Sequence, residues 1–168
     1  NTATANIGSA ISFEDDGPTV SSNTAVQLDD DALSGGNPGG TGDVTPDTAN
    51  TSGTLGHGYG ADGAGSVQWL DTGAPAGFTY EKSGTSLLIK QGGVTVITVA
   101  MTNTATGAYT VTQNAAIDHL AGDDENDVSF TLNYRVTDGD GDTADGTLAI
   151  NVDDDTPTAI DPDYAFLR

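Results

Sequence analysis

The chain has 168 residues, and its 25 acidic and 4 basic side chains give a net charge of −21 at pH 7. Such an acidic surface excludes nucleic acid as a partner, because phosphate binding requires clustered Lys and Arg, and it disfavours anionic membrane surfaces. The length suffices for one domain with a hydrophobic core. There is no cysteine, so a secreted fold of this size would use bound metal ions in place of disulfides.

The two ends of the chain repeat one pattern. The strand-like residues 7–13, the acids after them and a proline recur at a constant spacing near the end. The matched pairs are Ile11 with Ile150, Phe13 with Val152, Asp15 with Asp154, and Pro18 with Pro157. A constant spacing is typical of tandem arrays. We therefore interpret residues 1–16 as the end strand and junction of a preceding unit, 17–155 as one module, and 156–168 as a junction or tail.

Apolar and polar residues alternate through much of the chain, which indicates strands. The predicted strands are 24–31, 66–70, 78–81, 86–90, 94–101, 108–112, 128–137 and 146–152. Strands of this length, separated by glycine turns, predict an all-β fold: an antiparallel β-sandwich of the Ig-like or cadherin-like kind. Residues 34–65 are rich in Gly, Thr, Asn and Asp, which predicts a long loop. A helical turn is predicted at 115–120.

The predicted core consists of the apolar residues that share one face of these strands. They are Trp69, Leu88, Ile97, Val99, Val128, Phe130, Leu132, Tyr134, Val136, Leu148, Ile150 and Val152.

Carboxylates cluster beside the predicted strands. Asp138, Asp140 and Asp142 alternate with glycines, which let the backbone bend so that the carboxylates converge. Converging carboxylates repel one another, and Ca²⁺ relieves this by accepting about six to eight oxygen ligands. The alternative is a set of solvated acidic turns. The candidate ligands are Asp15, Asp16, Asp29, Asp30, Asp31, Asp123, Asp124, Asp127, Asp138, Asp140, Asp142, Asp153 and Asp154.

An EF-hand does not explain the run from Asp138, because its twelfth position would be Ala149 rather than Glu and no helices flank it. The ligands must then come from separate loops that meet at one end of the sandwich. We expect Asp29–Asp31 to join the run there, followed by Asp123, Asp124 and Asp127.

Other site chemistries find less support in the sequence. The glycine loop at 53–65 lacks the Gly-Lys-Ser/Thr of a phosphate loop, and two distant histidines without cysteine argue against zinc. Paired carboxylates in an aromatic cleft would suit a glycosidase, but this chain has one tryptophan, and we expect no enzymatic activity. His57, Tyr59 and Asp62 form a candidate ligand site, although an ordinary loop is the alternative.

The combined motifs resemble those of the aspartate-rich tandem repeats in giant RTX adhesins, which Gram-negative bacteria export by type I secretion. The segments that carry the resemblance are EDDGPTV at 14–20, LDDDAL at 28–33, GAPAGFTY at 73–80, YTVTQNAAIDH at 109–119, and the run from Asp123 through DDDTPT. The chain departs from the pattern after Thr158, and it lacks the nine-residue glycine-aspartate repeats of the RTX β-roll.

The resemblance implies a calcium-dependent module of an extracellular, cell-surface protein that serves adhesion, biofilm formation or host attachment. Its expected partners are neighbouring modules of the same chain and, in one alternative, a peptide or glycan on another surface bound by a module of the adhesin tip. A further alternative is an accessory domain of a polysaccharide-active enzyme. We expect a monomer without membrane insertion.

Overall fold

The computed structural model describes residues 15–121 and 126–156 and shows an all-β sandwich. The described residues contain no α-helix, and one short 3₁₀ turn, Asp30–Ala32, follows the second strand. The strands are β1 Thr19–Val20, β2 Val26–Asp29, β3 Asn50–Thr54, β4 His57–Gly58, β5 Ser66–Leu70, β6 Phe78–Ser83, β7 Ser86–Gln91, β8 Val94–Asn103, β9 Ala108–Gln113, β10 Val128–Thr137 and β11 Thr143–Asp153. The predicted strand at 7–13 lies outside the described residues.

The first sheet has the order β2-β11-β10-β5. Strands β10 and β11 form a long antiparallel hairpin that closes between Thr137 and Thr143. Strand β2 pairs with β11 in parallel, so that Asp29 lies beside Asp153. This pairing is the exception to the antiparallel arrangement predicted from the strand spacing. Strand β2 therefore lies beside the end of the β10–β11 hairpin that is opposite the hairpin turn.

The second sheet has the order β3-β9-β8-β7-β6, and all its pairings are antiparallel. Its edge strand β3 lies within the segment predicted to be loop, so that prediction is wrong for Asn50–Thr54. The sequence NTSGT has no apolar residue, so it carries no hydrophobic alternation. Gly53 is needed there because a Cβ atom would meet the Tyr109 hydroxyl at 2.5 Å.

The core lies between the two sheets, as the apolar alternation predicted. Its largest buried side chains are Trp69 and Tyr134, whose rings meet edge to face with centroids 6.3 Å apart. The prediction of Leu88 as a core residue is wrong, because Leu87 and Ile89 face inward instead. Three consecutive apolar residues fit either face of a strand, and the pairing of β7 with its neighbours decides the register.

Residues 115–120 form no helical turn, which corrects the prediction for this segment. Ile117 is buried, and its amide donates to Asp30 Oδ2 at 2.9 Å, so a side chain holds this irregular backbone in place. Within the described ranges, the chain has no helix long and apolar enough to cross a membrane.

Candidate metal centres

The carboxylates gather at both ends of the β10–β11 hairpin rather than at one. Asp138, Asp140 and Asp142 lie in its turn, whereas Asp153 ends β11 beside Asp29. Strand β11 has 11 residues, which separates the two groups by about 36 Å at 3.3 Å per residue. The expectation that Asp29–Asp31 and Asp127 would join the Asp138 run is therefore wrong. For Asp29–Asp31 the physical reason is the parallel pairing of β2 with the end of β11, which the sequence did not reveal. Asp127 and Asp138 lie at opposite ends of the ten-residue strand β10.

The first group, which we call the turn cluster, consists of Asp15, Asp62, Asp138, Asp140 and Asp142. Carboxylate oxygens of Asp15, Asp62 and Asp140 lie within 4.8 Å of one another, as do those of Asp138, Asp140 and Asp142. Asp140 belongs to both sets and connects them. The donors are all oxygens, which is the chemistry that calcium prefers.

Asp138 is the buried member of the turn cluster, with 4 % of its surface exposed. Its Oδ1 accepts from the amides of Gly141 at 3.0 Å and Asp142 at 2.8 Å, which fixes the shape of the turn. Its Oδ2 is buried among the described residues without a hydrogen-bond donor. A buried carboxylate oxygen without a donor is costly, and a cation bound there would supply the missing partner.

The glycine loop at 60–65 brings Asp62 to the hairpin turn. The Gly139 amide donates to the Gly63 carbonyl at 3.1 Å. A Cβ atom at Gly139 would lie 2.2 Å from the Asp62 carbonyl oxygen, and one at Gly65 would lie 2.1 Å from that of Thr137. Only glycine permits this close approach of two backbones. The loop and the turn therefore form one unit.

Asp16 supports the same loop without joining the cluster of converging oxygens. Its Oδ2 accepts from the Ala61 amide at 2.8 Å. Asp16 thus holds the segment before β1 against the glycine loop by a hydrogen bond, whereas the charge of Asp15 adds to the repulsion within the turn cluster.

The carboxylates of the turn cluster raise the pKa values of their neighbours. The pKa of Asp142 is raised, first by the charge of Asp15 and then by loss of hydration and by Asp138. The pKa of Asp140 is raised first by its side-chain contact with Asp138 and then by loss of hydration. Among the described residues, none of the ion pairs includes an acid of the turn cluster. The acids that form ion pairs are Glu81, Asp30, Asp154 and Asp145. No protein cation in that part of the chain therefore neutralises the turn cluster.

The second group, which we call the base cluster, consists of Asp29, Asp31, Asp43, Asp127 and Asp153. Oxygens of Asp29, Asp31 and Asp43 lie within 4.8 Å of one another. Asp29 and Asp153 are each 1 % exposed, and Asp31 is 7 % exposed. Asp127 lies within hydrogen-bonding reach of Asp153. Three of these five carboxylates are almost fully buried, whereas Asp43 is half-buried and Asp127 is exposed.

Asp153 is a strongly perturbed carboxyl group within the base cluster. Burial, the contact with Asp127 and the charge of Asp29 raise its pKa to about 7, although a hydrogen bond from the Val44 amide opposes the shift. That amide donates to Oδ2 at 2.6 Å, while Oδ1 is buried without a donor among the described residues. This is again the environment of a carboxylate arranged for a cation.

The loop between β2 and β3 is held against the base cluster by its backbone. The Val44 amide bonds to Asp153, and the Asn37 amide donates to Asp155 Oδ1 at 2.8 Å. These contacts bring Asp43 to the cluster. The sequence reasoning missed Asp43, because a lone aspartate in a Gly- and Thr-rich segment carries no pattern that distinguishes it from loop residues.

Asp30 and Asp154 contact a histidine instead. His119 Nε2 lies 3.5 Å from Asp30 Oδ2 and 3.8 Å from Asp154 Oδ1, and its Nδ1 bonds to the Asn126 carbonyl. Burial lowers the pKa of His119, but the hydrogen bond to Asp30 and the charge of Asp154 outweigh it, so the net shift is upward. The imidazole of His119 is the basic group that lies beside these two acids. Within their own unit, these two acids fit a calcium site less well than the base cluster does.

His57, Tyr59 and Asp62, which were predicted to form one ligand site, make different contacts in the structure. The His57 and Tyr59 rings meet edge to face with centroids 4.8 Å apart. The Tyr59 hydroxyl donates to the Ala105 carbonyl at 2.9 Å, and His57 Nδ1 bonds to the Leu55 carbonyl at 2.8 Å. Asp62 belongs to the turn cluster. The polar atoms of His57 and Tyr59 thus bond to the backbone and hold the glycine loop in place.

Asp123 and Asp124, which were predicted as metal ligands, lie outside the described residues.

Comparison with known proteins gives one match. A family model described as "Domain of unknown function (DUF5801)" matches residues 25–151, which cover most of the chain and all the candidate ligands from Asp29 to Asp142. No curated protein matches, and no solved structure matches.

Proposed function

Because the chain belongs to the family described as a domain of unknown function, DUF5801, we propose its function from the geometry: it is a calcium-dependent module of a large, tandemly built bacterial adhesin. The observation that carries the proposal is the pair of all-oxygen clusters at opposite ends of the sandwich. Each contains a nearly buried aspartate with an oxygen that has no donor among the described residues, Asp138 Oδ2 and Asp153 Oδ1.

The donor chemistry favours calcium over other metals. Neither cluster contains histidine or cysteine, which zinc prefers. Magnesium needs a compact octahedral shell and retains its waters, whereas calcium accepts a larger and less regular set of carboxylates. Five carboxylates at each end offer ample oxygens for one ion and for additional ions that share ligands.

The adhesin part of the proposal is supported by the repeated junction and by the resemblance of the motifs. In a tandem array, Asp154 of one unit corresponds to Asp15 of the next. Asp15 lies in the turn cluster, so each unit would complete the metal centre of its successor. Such coupling suits a long extracellular protein that is exported by type I secretion and folds where calcium is abundant.

A second candidate function is a ligand-binding module at the adhesin tip. The observation in its favour is the exposure of Asp15, Asp62, Asp140 and Asp142, which leaves one side of the turn cluster accessible. A bound calcium ion with a free coordination position could accept an oxygen from a sugar diol or a peptide carboxylate. A glycan and peptide array, probed at saturating calcium, separates this function from that of a spacer.

Calcium-dependent melting tests the main proposal. Extracellular calcium sites have dissociation constants of about 0.1–1 mM, and a hundredfold excess of ion adds about 2.7 kcal/mol for each independent site. Two sites would then contribute a large share of an ordinary domain stability of about 5–15 kcal/mol. We expect the melting temperature in calcium to exceed that in chelator by more than about 10 °C. Coincident melting curves would contradict the proposal, and magnesium serves as the control ion.

A further inference from the structure

The sandwich contains a small cavity at one edge of its first sheet. It has a volume of about 210 Å³ and lies between the edge strand β5 and the β6–β7 hairpin. Val67, Trp69 and Met101 line it and are almost fully buried, whereas Gln68 and Lys82 line it from exposed positions. The cavity thus combines an apolar interior with a polar rim, as small-molecule sites do.

Trp69 supplies a hydrogen-bond donor that the protein leaves unused. Its side chain is 2 % exposed, and within the described residues its Nε1 has no acceptor. The indole N–H can only donate, and a buried donor without a partner costs about 1–3 kcal/mol. Trp69 lines the cavity, and an acceptor atom that reached Nε1 would recover this energy.

Lys82 supplies positive charge at the rim. The described part of the chain contains three basic residues, of which Lys90 pairs with Glu81 and Arg135 pairs with Asp145. Lys82 has no carboxylate within 4.0 Å among the described residues, and its Nζ donates to the neutral Gln68 Oε1 at 3.4 Å. A lysine that stays unpaired in a chain of net charge −21 is available to an anionic ligand.

We propose that this cavity binds the carboxylate of a small organic acid. Trp69 Nε1 donates to the carboxylate from inside the cavity, and Lys82 neutralises its charge at the rim. Both bonds are of the charge-assisted kind, which is stronger than a bond between neutral groups. The volume lies below the range of about 300–1,000 Å³ for drug-sized ligands, so the acid has a single ring or a short chain. The site requires no calcium and is independent of the proposed metal centres.

The single tryptophan gives a direct measurement. A uniformly ¹⁵N-labelled protein has one indole cross-peak in a proton–nitrogen correlation spectrum, and it reports on Trp69. Sodium glucuronate and N-acetylglycine are titrated at constant ionic strength and saturating calcium, and glucose and N-acetylglycinamide are their uncharged counterparts. We expect one of the acids to shift the cross-peak with a dissociation constant on the order of 1 mM, while its uncharged counterpart leaves it in place. A shift with glucuronate identifies the ligand as a sugar acid, and a shift with N-acetylglycine identifies it as a peptide-type acid.

Two lysine variants provide matched controls. Lys82→Gln removes the rim charge at an exposed position, and we expect at least tenfold weaker binding with an unchanged melting temperature. Lys90→Gln removes a lysine that is already paired with Glu81, and binding should persist. An unmoved indole cross-peak at about 50 mM of both acids would overturn the proposal. So would equal shifts from the uncharged compounds, or an unchanged affinity in Lys82→Gln.

Discussion

Asp138 is expected to destabilise the protein when no metal ion is bound and to stabilise it when one is bound. Its Oδ1 shapes the hairpin turn by accepting hydrogen bonds from two amides, while its Oδ2 is buried and has no donor in the described part of the chain. The first oxygen serves the fold, and the second serves the proposed ion. Because the two roles belong to different oxygens, an amide side chain can separate them.

The variant Asp138→Asn should therefore move stability in opposite directions with and without calcium. An amide retains the Oδ1 acceptor and removes the charge, so we expect calcium affinity to fall about tenfold, or 1.4 kcal/mol. In chelator the variant should melt at or above the temperature of the parent, because the uncompensated charge is gone. Titration calorimetry and thermal melts measure the two effects. The control Asp71→Asn is exposed and lies outside both clusters, and an equal loss of calcium affinity there would contradict the assignment.

Asp153 makes the calcium-free protein sensitive to pH in an unusual direction. Its pKa is raised to about 7 from the ordinary 3.8, first by burial. Between these values the folded state binds more protons than the unfolded state, so stability falls as pH rises. We expect the calcium-free protein to melt at a higher temperature at about pH 5.5 than at about pH 7.5. Calorimetric melts in chelator measure this trend.

The variant Asp153→Asn should flatten that trend, because it mimics the protonated acid at every pH. With saturating calcium the trend should vanish or reverse, since the ion takes the place of the proton. A calcium-free protein that gains stability steadily from pH 5.5 to pH 7.5 would show that Asp153 does not control this range.

At the scale of elements, the alternation of apolar residues predicts the β-sandwich, but it does not predict which carboxylates form the two clusters. The alternation in β10 and β11 predicts both strands and their inward faces, because burial of one face imposes a period of two. Strand β3 lacks any such signal, and the parallel pairing of β2 is a long-range choice. Asp43 and Asp62 reach their clusters only because loops dock on distant strands, through Val44 and Gly139. Individual acidic motifs were visible in the sequence, but their grouping depended on this topology.

The docking of the glycine loop on the hairpin turn can be tested with one methyl group. Gly139→Ala would place a Cβ atom 2.2 Å from the Asp62 carbonyl oxygen, so the loop must retreat and take Asp62 with it. We expect weaker calcium binding and a loss of about 1–3 kcal/mol in the free energy of unfolding. Calcium-dependent melting and calorimetry provide the measurement.

Gly17→Ala is the matched control for that variant. Its added Cβ atom would have ordinary contact with Asp142, 3.7 Å from Oδ2, and it should leave stability and calcium affinity nearly unchanged. If Gly139→Ala behaves like Gly17→Ala, the loop and the turn are not held together as the structure indicates.

At the scale of the whole molecule, the two clusters lie at opposite ends of a long hairpin. The repeated junction gives this arrangement a consequence for tandem units. When two copies of residues 17–155 are joined directly, Asp154 and Asp155 of the first copy take the sequence positions of Asp15 and Asp16 of the second. Asp15 shares a set of converging oxygens with Asp62 and Asp140. The junction acids of the first copy would then bind the same ion as the second copy's turn cluster.

Such a two-copy protein should stiffen when calcium binds. Flexible orientation is the default for domains that share little interface, and one ion coordinated from both copies removes that freedom. We expect small-angle X-ray scattering in calcium to show an extended particle close to twice the length of one copy, and a broader, shorter distribution in chelator. The control carries Asp62→Asn and Asp140→Asn in the second copy only, which preserves both sandwiches and weakens the shared centre. If this control stiffens as much as the parent, the junction is rigid for another reason, and the turn cluster serves its own unit alone.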